Sequence, residues 1–177
     1  MILIKNKMVN FKIQSILYTS FTSPFGPMGI VRSEKGICRI LFPEEHPFHD
    51  TLSILYPYSQ IKESVSSFQE ELRQLKQYFS WEKTRFHFPI DVNTSRFYRK
   101  VLIAVSKIPY GKTFSYKKIA EQVGNPGAAR AVGSANAQNP IPIIIPCHRV
   151  VSQNGSLGGY GGSPERKYYL LKMEGAI

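Results

Sequence analysis

Cys147, His148 and Arg149 stand in a row within the stretch IPIIIPCHRVV, residues 141 to 151, with Pro146 immediately before the thiol. The thiolate is the nucleophile and the metal ligand, and an ordinary cysteine with a pKa of ~8.5 is mostly protonated at neutral pH. Chemistry at Cys147 therefore needs a base, and His148 is adjacent. Strand neighbours point to opposite faces, so the two cooperate only if the chain turns at Pro146 or a water bridges them. Such a histidine needs an orienting carboxylate, and downstream only Glu165 and Glu174 offer one. The competing reading is a buried structural cysteine, the commoner fate of an isolated Cys. A zinc site would take about four ligands, usually in close pairs, and Cys38, His46, His49 and His87 have no such spacing.

Two further stretches surround this one in chemical interest. NPGAARAVGSANAQ clusters the small residues Ala128, Ala129, Gly133 and Ser134 around one long side chain, Arg130. Ala, Gly and Ser let a helix backbone approach DNA closely, and an arginine there reaches phosphate or the base stack. A packed helix seam with Arg130 in solvent would give the same pattern. NGSLGGYGG, residues 154 to 162, surrounds Tyr160 with glycine and reads as a lid, or as a plain linker from strand to helix.

The elements that must position these residues are readable from periodicity. FKIQSILYT, MGIVRS and GICRILF, separated by SPFGP and EKG, predict three antiparallel strands. From Ser64, the residues Val65, Phe68, Leu72, Leu75 and Phe79 fall at helical spacing, which predicts a helix packed on that sheet. Residues 84 to 95 read as a strand or an extended linker. Beyond Ser95, a helix with Phe97, Val101, Ala104, Val105 and Ile108 on one face is followed by a second capped by Ser115 and a third with Pro126 in its first turn. Helix, short turn, small helix is a helix-turn-helix pattern. The IIIP run predicts a short buried strand delivering Cys147, and ERKYYLLKMEG predicts a helix that docks Leu170 and Leu171 and fixes Glu174. The expected fold class is α+β. A small N-terminal antiparallel sheet with a helix, ribonuclease-H-like, occupies residues 1–90, and a mostly helical, winged helix-turn-helix-like domain occupies 91–177.

Composition narrows the partner. Lys and Arg number 23 against 12 Asp and Glu, a formal charge of +11 in 177 residues, which favours a polyanion such as nucleic acid or a membrane surface. No stretch approaches the roughly 18 apolar residues of a transmembrane helix, and lysines break the start MILIKNKMVNFKI before a signal-peptide core forms. A cytoplasmic protein without a membrane partner is expected. Cys38 and Cys147 are read as two separate thiols.

GKTFSYKKIAEQVGNPGAARAVGSANAQ, NPIPIIIPCHRVV and GSLGGYGGSPERKYYLLKMEG together resemble the O6-alkylguanine-DNA alkyltransferases, the methylated-DNA-protein-cysteine methyltransferases, of microbial type. The resemblance spans about residues 90 to 176, and PCHRV is its most specific part. It implies that Cys147 accepts the alkyl group from O6-alkylguanine, and possible repair of O4-alkylthymine is left open. His148 would act through a water as base, Glu174 would orient it, Asn139 would brace the network, and Tyr116 would serve the departing base. Arg130 would fill the gap left by the extruded nucleotide. Ala128, Ala129, Gly133, Ser134 and Ser115 would lie against DNA. Pro142, Tyr160 and Lys167 would line the base pocket, and the backbone of Val150 and Gly161 would read the guanine edge. The implied partner is double-stranded DNA entered from the minor groove by a monomer, with no cofactor and no metal. Two alternatives remain: an alkyltransferase-like protein that binds alkylated bases without reacting, and a cysteine hydrolase using Cys147, His148 and Glu174. The first normally lacks the reactive cysteine, and the second is weakened by the charge, the helix-turn-helix pattern and the lack of an evident oxyanion hole.

Overall fold

The three apolar runs form β1 (Gln14–Ser23), β2 (Gly26–Ser33) and β3 (Gly36–Leu41) in a computed structural model that describes residues 14–82 and 84–177. The lysine-broken start, residues 1–10, and residues 11–13 of the first expected strand lie outside the described residues. Both hairpins are tight: Ser23 pairs with Gly26 and Ser33 with Gly36, so two residues turn the chain each time. A fourth strand, β4 (Ser59–Glu63), was not anticipated. It joins the far edge parallel to β1, giving the order β3-β2-β1-β4. Its residues are half-buried or exposed, so no apolar alternation marks it. The helix that carries the crossover, α1 (Phe48–Leu55), was missed for the same reason, since it buries only Phe48 and Leu52.

The predicted helix after Ser64 exists as α2 (Gln69–Phe79), but its buried stripe is rotated. Phe68, Glu71, Gln74, Leu75 and Tyr78 face inward, while Val65 is 62% exposed and precedes the helix. Residues 84–95 are a linker and not a strand. Their one ladder contact is at Ile37 and Ile90, where Ile37 N–H donates to Pro89 O and Asp91 N–H to Ile37 O.

The C-terminal half opens with α3 (Arg96–Ser106), whose Ser95 hydroxyl accepts from the Tyr98 amide. Then come β5 (Phe114–Ser115), α4 (Tyr116–Gln122) and α5 (Ala129–Ala137). The third helix starts later than its sequence suggested. Pro126 sits in the turn before it, where the Ala128 amide closes onto Asn125 O, so Pro126 does not occupy its first turn. The IIIP run also departs from expectation. Prolines at both ends cannot donate ladder bonds, Ile143 takes a positive φ of 73°, and the Ile145 amide closes onto Ile141 O. A turn, not a strand, delivers Cys147, and residues Cys147–Arg149 continue as one turn of 3-10 helix before β6 (Val150–Val151). β6 pairs in parallel with β5. Finally α6 (Pro164–Met173) buries Leu170 and Leu171 completely, as its pattern predicted.

A mixed α+β chain with an N-terminal sheet and a helical C-terminal half is therefore the architecture. Phe68, Leu75 and Tyr78 share one apolar core with Val101, Val105, Ile141 and Leu170, so the halves are packed together rather than strung out. Among the described residues no helix is long and apolar enough to cross a membrane.

Candidate active site

Cys147 is 5% exposed at the start of its helical turn. Asn139 holds it: the amide Nδ2 donates to Cys147 Sγ at 3.1 Å and to Ile145 O at 2.8 Å, while Oδ1 accepts from the Ile141 amide. One side chain thus pins both arms of the turn and the sulfur. Burial pushes the thiol up to about 11, against the Asn139 bond and the Lys167 charge, which pull the other way. At rest the sulfur carries its proton, so the need for a base stated from the sequence is sharpened.

His148 is fully buried, and its Nε2 lies 2.9 Å from Glu174 Oε1. An ionised carboxylate only accepts, so Nε2 carries the hydrogen and Nδ1 keeps a lone pair. Nδ1 has no protein partner. Burial lowers the His148 pKa, and the Glu174 bond opposes this. Glu174 caps the end of α6; burial would raise its pKa, but the bonds from His148 and Arg149 outweigh that and hold it at about 2.

Arg149 and Tyr78 complete this network, and the sequence reading gave neither a place in it. Arg149 grips the carboxylate with both Nε (2.7 Å to Oε2) and Nη2 (2.8 Å to Oε1), and its Nη1 donates to Ile108 O. Tyr78 donates its hydroxyl to Glu174 Oε1 at 2.5 Å from α2. The adjacency of Arg149 to His148 was the one available signal; nothing in the sequence pairs residues 78 and 174.

A cavity of about 360 Å³ opens on the sulfur, lined by Tyr116, Gly133, Asn136, Ala137, Cys147, Gly159, Tyr160 and Gly161. A second of about 220 Å³ continues past the same wall to Pro142, Asn139 and the Phe42 end of β3. Another cleft, of about 500 Å³, lies behind the cysteine turn, and the charge at its floor, Arg149, is already paired with Glu174. Tyr160 is folded in rather than presented as a free flap: its ring meets His148 and Phe42 edge-on, each at 6.4 Å. Gly162 permits this, since a Cβ there would stand 2.5 Å from Phe42 and 2.8 Å from the Tyr160 ring.

Of the other expected residues, Tyr116, Gly133, Pro142, Tyr160 and Gly161 line these cavities, whereas Ser115, Ala128, Ala129, Arg130 and Ser134 lie outside their lining at α4 and α5. Tyr116 opens α4 opposite Gly133 of α5, where a Cβ would sit at 3.8 Å from its ring. Arg130 and Ser134 are exposed on α5, and Ala128 and Ala129 are half-buried at its start. Ser115 caps α4 through the Lys118 amide. Two residues differ from their expected setting. Lys167 is fully buried with Nζ on Val150 O at 2.6 Å and Gly159 O at 3.3 Å, and burial lowers its pKa to about 8, although the nearby thiol opposes this. Val150 is engaged at both backbone groups, because its N–H also donates to Cys147 O. Among the described residues no group of three or more His, Cys, Asp or Glu is arranged to hold a metal ion.

A buried cysteine with a histidine-carboxylate pair, placed under two short helices in a basic α+β chain, fits the class of cysteine-dependent DNA-modifying proteins. Residues 96–176 match the family described as 6-O-methylguanine DNA methyltransferase, DNA binding domain, and 16–92 match its ribonuclease-like domain. The chain is 40% identical to the methylated-DNA-protein-cysteine methyltransferase of Methanosarcina acetivorans, over 90% of this chain and 98% of that one. It is 50% identical to the protein of that name from Mycobacterium bovis, over 90% and 92%. The crystal structure of the Mycobacterium tuberculosis relative in complex with DNA superposes with a TM-score of 0.80 at 38% identity, covering 90% of this chain and 93% of that one. The chain belongs to the methylated-DNA-protein-cysteine methyltransferase family.

Proposed function

We propose that this protein repairs DNA by moving the alkyl group of O6-alkylguanine onto Cys147. The observation that carries the reading is a buried thiol, braced by Asn139 beside the His148–Glu174 pair, at the floor of a cavity whose rim is the α4–α5 pair. An alkylated base stacked in a duplex hides the carbon to be attacked, so the nucleotide must be extruded, at a cost of about a few kcal/mol that is least for a damaged pair. The small faces of Ala128, Ala129, Gly133 and Ser134 permit a minor-groove approach, Ser115 lies at the start of α4 beside them, and Arg130 would take the place of the lost base in the stack.

In the transfer, the Cys147 proton passes through water to His148 Nδ1 while Glu174 steadies the imidazolium. Sulfur forms a bond to the alkyl carbon as the bond from that carbon to guanine O6 breaks. The electron pair leaves on the base, which regains a proton with help from Tyr116, and Cys147 is left as a thioether. Pro142, Tyr160 and Gly161 would bound the base, and Lys167 would hold the Val150 carbonyl at its edge. A thioether has no reversal by thiol chemistry, so each molecule acts once. Residues 1–90 serve as scaffold and 91–177 carry DNA and acceptor; the protein acts as a monomer in the cytoplasm.

The test is to incubate the protein with a duplex holding one O6-methylguanine and weigh it intact. One added methyl group, mapped to the Cys147 peptide and absent in Cys147→Ser, is expected. Tight binding with unchanged mass would instead establish a non-reactive binder.

A further inference from the structure

We propose that Tyr78, supplied by the N-terminal half, is a positioning residue of the transfer reaction: its hydroxyl holds the Glu174 carboxylate and limits how strongly that carboxylate draws a proton onto His148. The inference rests on the function proposed above and assigns the N-terminal half a part in the chemistry.

The geometry concentrates on one atom. Glu174 Oε1 receives three donors, the Tyr78 hydroxyl at 2.5 Å, Arg149 Nη2 at 2.8 Å and His148 Nε2 at 2.9 Å, whereas Oε2 receives Arg149 Nε at 2.7 Å. The tyrosine bond is the shortest, in the range of charge-assisted O–H···O bonds. Tyr78 is 1% exposed at the C-terminal end of the buried stripe of α2, and its ring packs against Phe79, Phe86 and Tyr110, so the hydroxyl has no freedom to swing away. Burial first, then the Glu174 charge, push its pKa well up, so it remains a donor at every physiological pH.

The consequence follows from what each donor does to a carboxylate. A hydrogen bond to the charged form spreads its charge and lowers its pull on other protons. His148 must be neutral to take a proton from Cys147. Around it stand Glu174 and Lys167 from α6, Cys147 and Arg149 from its own turn, and Tyr160 from the loop; Glu174 in turn faces Tyr110 as well as Tyr78. Of these groups, Tyr78 is a neutral donor placed on the oxygen that His148 shares. Without it, Oε1 is more negative, the imidazolium is better stabilised and His148 holds its proton to higher pH.

The experiment measures methyl transfer from an O6-methylguanine duplex across the acid limb of the pH profile, with thermal unfolding in parallel. In Tyr78→Phe the limb should move to higher pH by about one unit. Replacing Tyr78 by 3-fluorotyrosine, a stronger donor of nearly the same shape, should move it to lower pH. A packing role alone would lower stability or rate uniformly and would not shift the limb in opposite directions. The His148 titration, followed by NMR in the same proteins, reads the effect without any transfer. If wild-type protein transfers no methyl group, the functional reading fails; a His148 pKa unmoved by both replacements overturns the role of Tyr78 whether or not transfer occurs.

Discussion

Apart from Glu71, which faces Arg32 at 3.5 Å in the N-terminal half, the buried polar residues of the two halves do different work. In the N-terminal half, Ser23, Ser33 and Gln74 tie off the backbone. Ser23 bridges its own hairpin through Gly26 O and the Phe25 amide; Ser33 joins Asp91 at 2.6 Å and the Lys35 amide. Gln74 clamps the linker through both backbone groups of His87. In the C-terminal half, His148, Arg149, Lys167 and Glu174 are buried ionisable groups gathered around one sulfur. Desolvating neutral groups with local backbone partners is cheap, whereas desolvating charges is costly unless they pair. The first pattern holds a frame together, and the second keeps reactive groups ready. Tyr78 is where the two patterns meet.

The comparison breaks hardest at Glu174. Glu174→Gln would strip Arg149 of a buried counter-charge and let the amide present a hydrogen to His148, reversing its tautomer. The expected loss is about 3–5 kcal/mol in stability and about 10³-fold or more in methyl-transfer rate, read by denaturant unfolding and single-turnover kinetics. Near-normal rates would remove the carboxylate from the mechanism.

The thiol itself gives the next largest effect. With its pKa raised by burial to about 11, Cys147 in the absence of DNA should react with a small alkylating reagent about 10²-fold more slowly at neutral pH than a free cysteine. Its rate should climb with pH until near that value. A plateau near neutrality, followed by peptide mass mapping, would show a thiolate already present at rest. The same raised pKa fixes the sign for stability: the protonated thiol favours the folded state below the unfolded pKa, and that contribution fades as pH rises through about 11.

Arg130→Ala should leave folding unchanged, since the side chain is exposed on α5. Duplex repair should fall on the order of tenfold or more, the equivalent of about 1.4 kcal/mol of unstacking no longer offset. Reaction with a free alkylated base should be unaffected, and an equal fall in both would end the stack-filling role. The smallest effect belongs to the frame. Ser33→Ala should cost about 1 kcal/mol in unfolding free energy with no change in transfer rate; a slowed transfer would mean that the frame reaches the chemistry by routes other than Tyr78.

The sequence was most informative where chemistry and periodicity agree. Three strands, the α3 to α6 helices and the adjacency of Cys147 and His148 were legible, because apolar spacing, serine caps and a compact motif mark them locally; Glu174 was one of two downstream carboxylates, and Asn139 entered only through the family resemblance. β4 and α1 were not, since a half-exposed edge strand and a helix with two buried residues carry little amphipathic signal. The turn before Cys147 was misread because isoleucine-rich runs favour strands, and only the flanking prolines argued otherwise. Tyr78 was outside reach altogether: its phenol reads as amphipathic in a helix, and its partner lies 96 positions away.

The proton on Cys147 also sets how long a molecule lasts. A protein consumed by its own reaction is a reserve of unreacted sulfur, and every small electrophile that reaches a thiolate depletes it. With its pKa near 11, only about one molecule in ten thousand exposes a thiolate at neutral pH. Burial that slows the resting thiol thereby keeps the reserve intact until a substrate base enters the pocket.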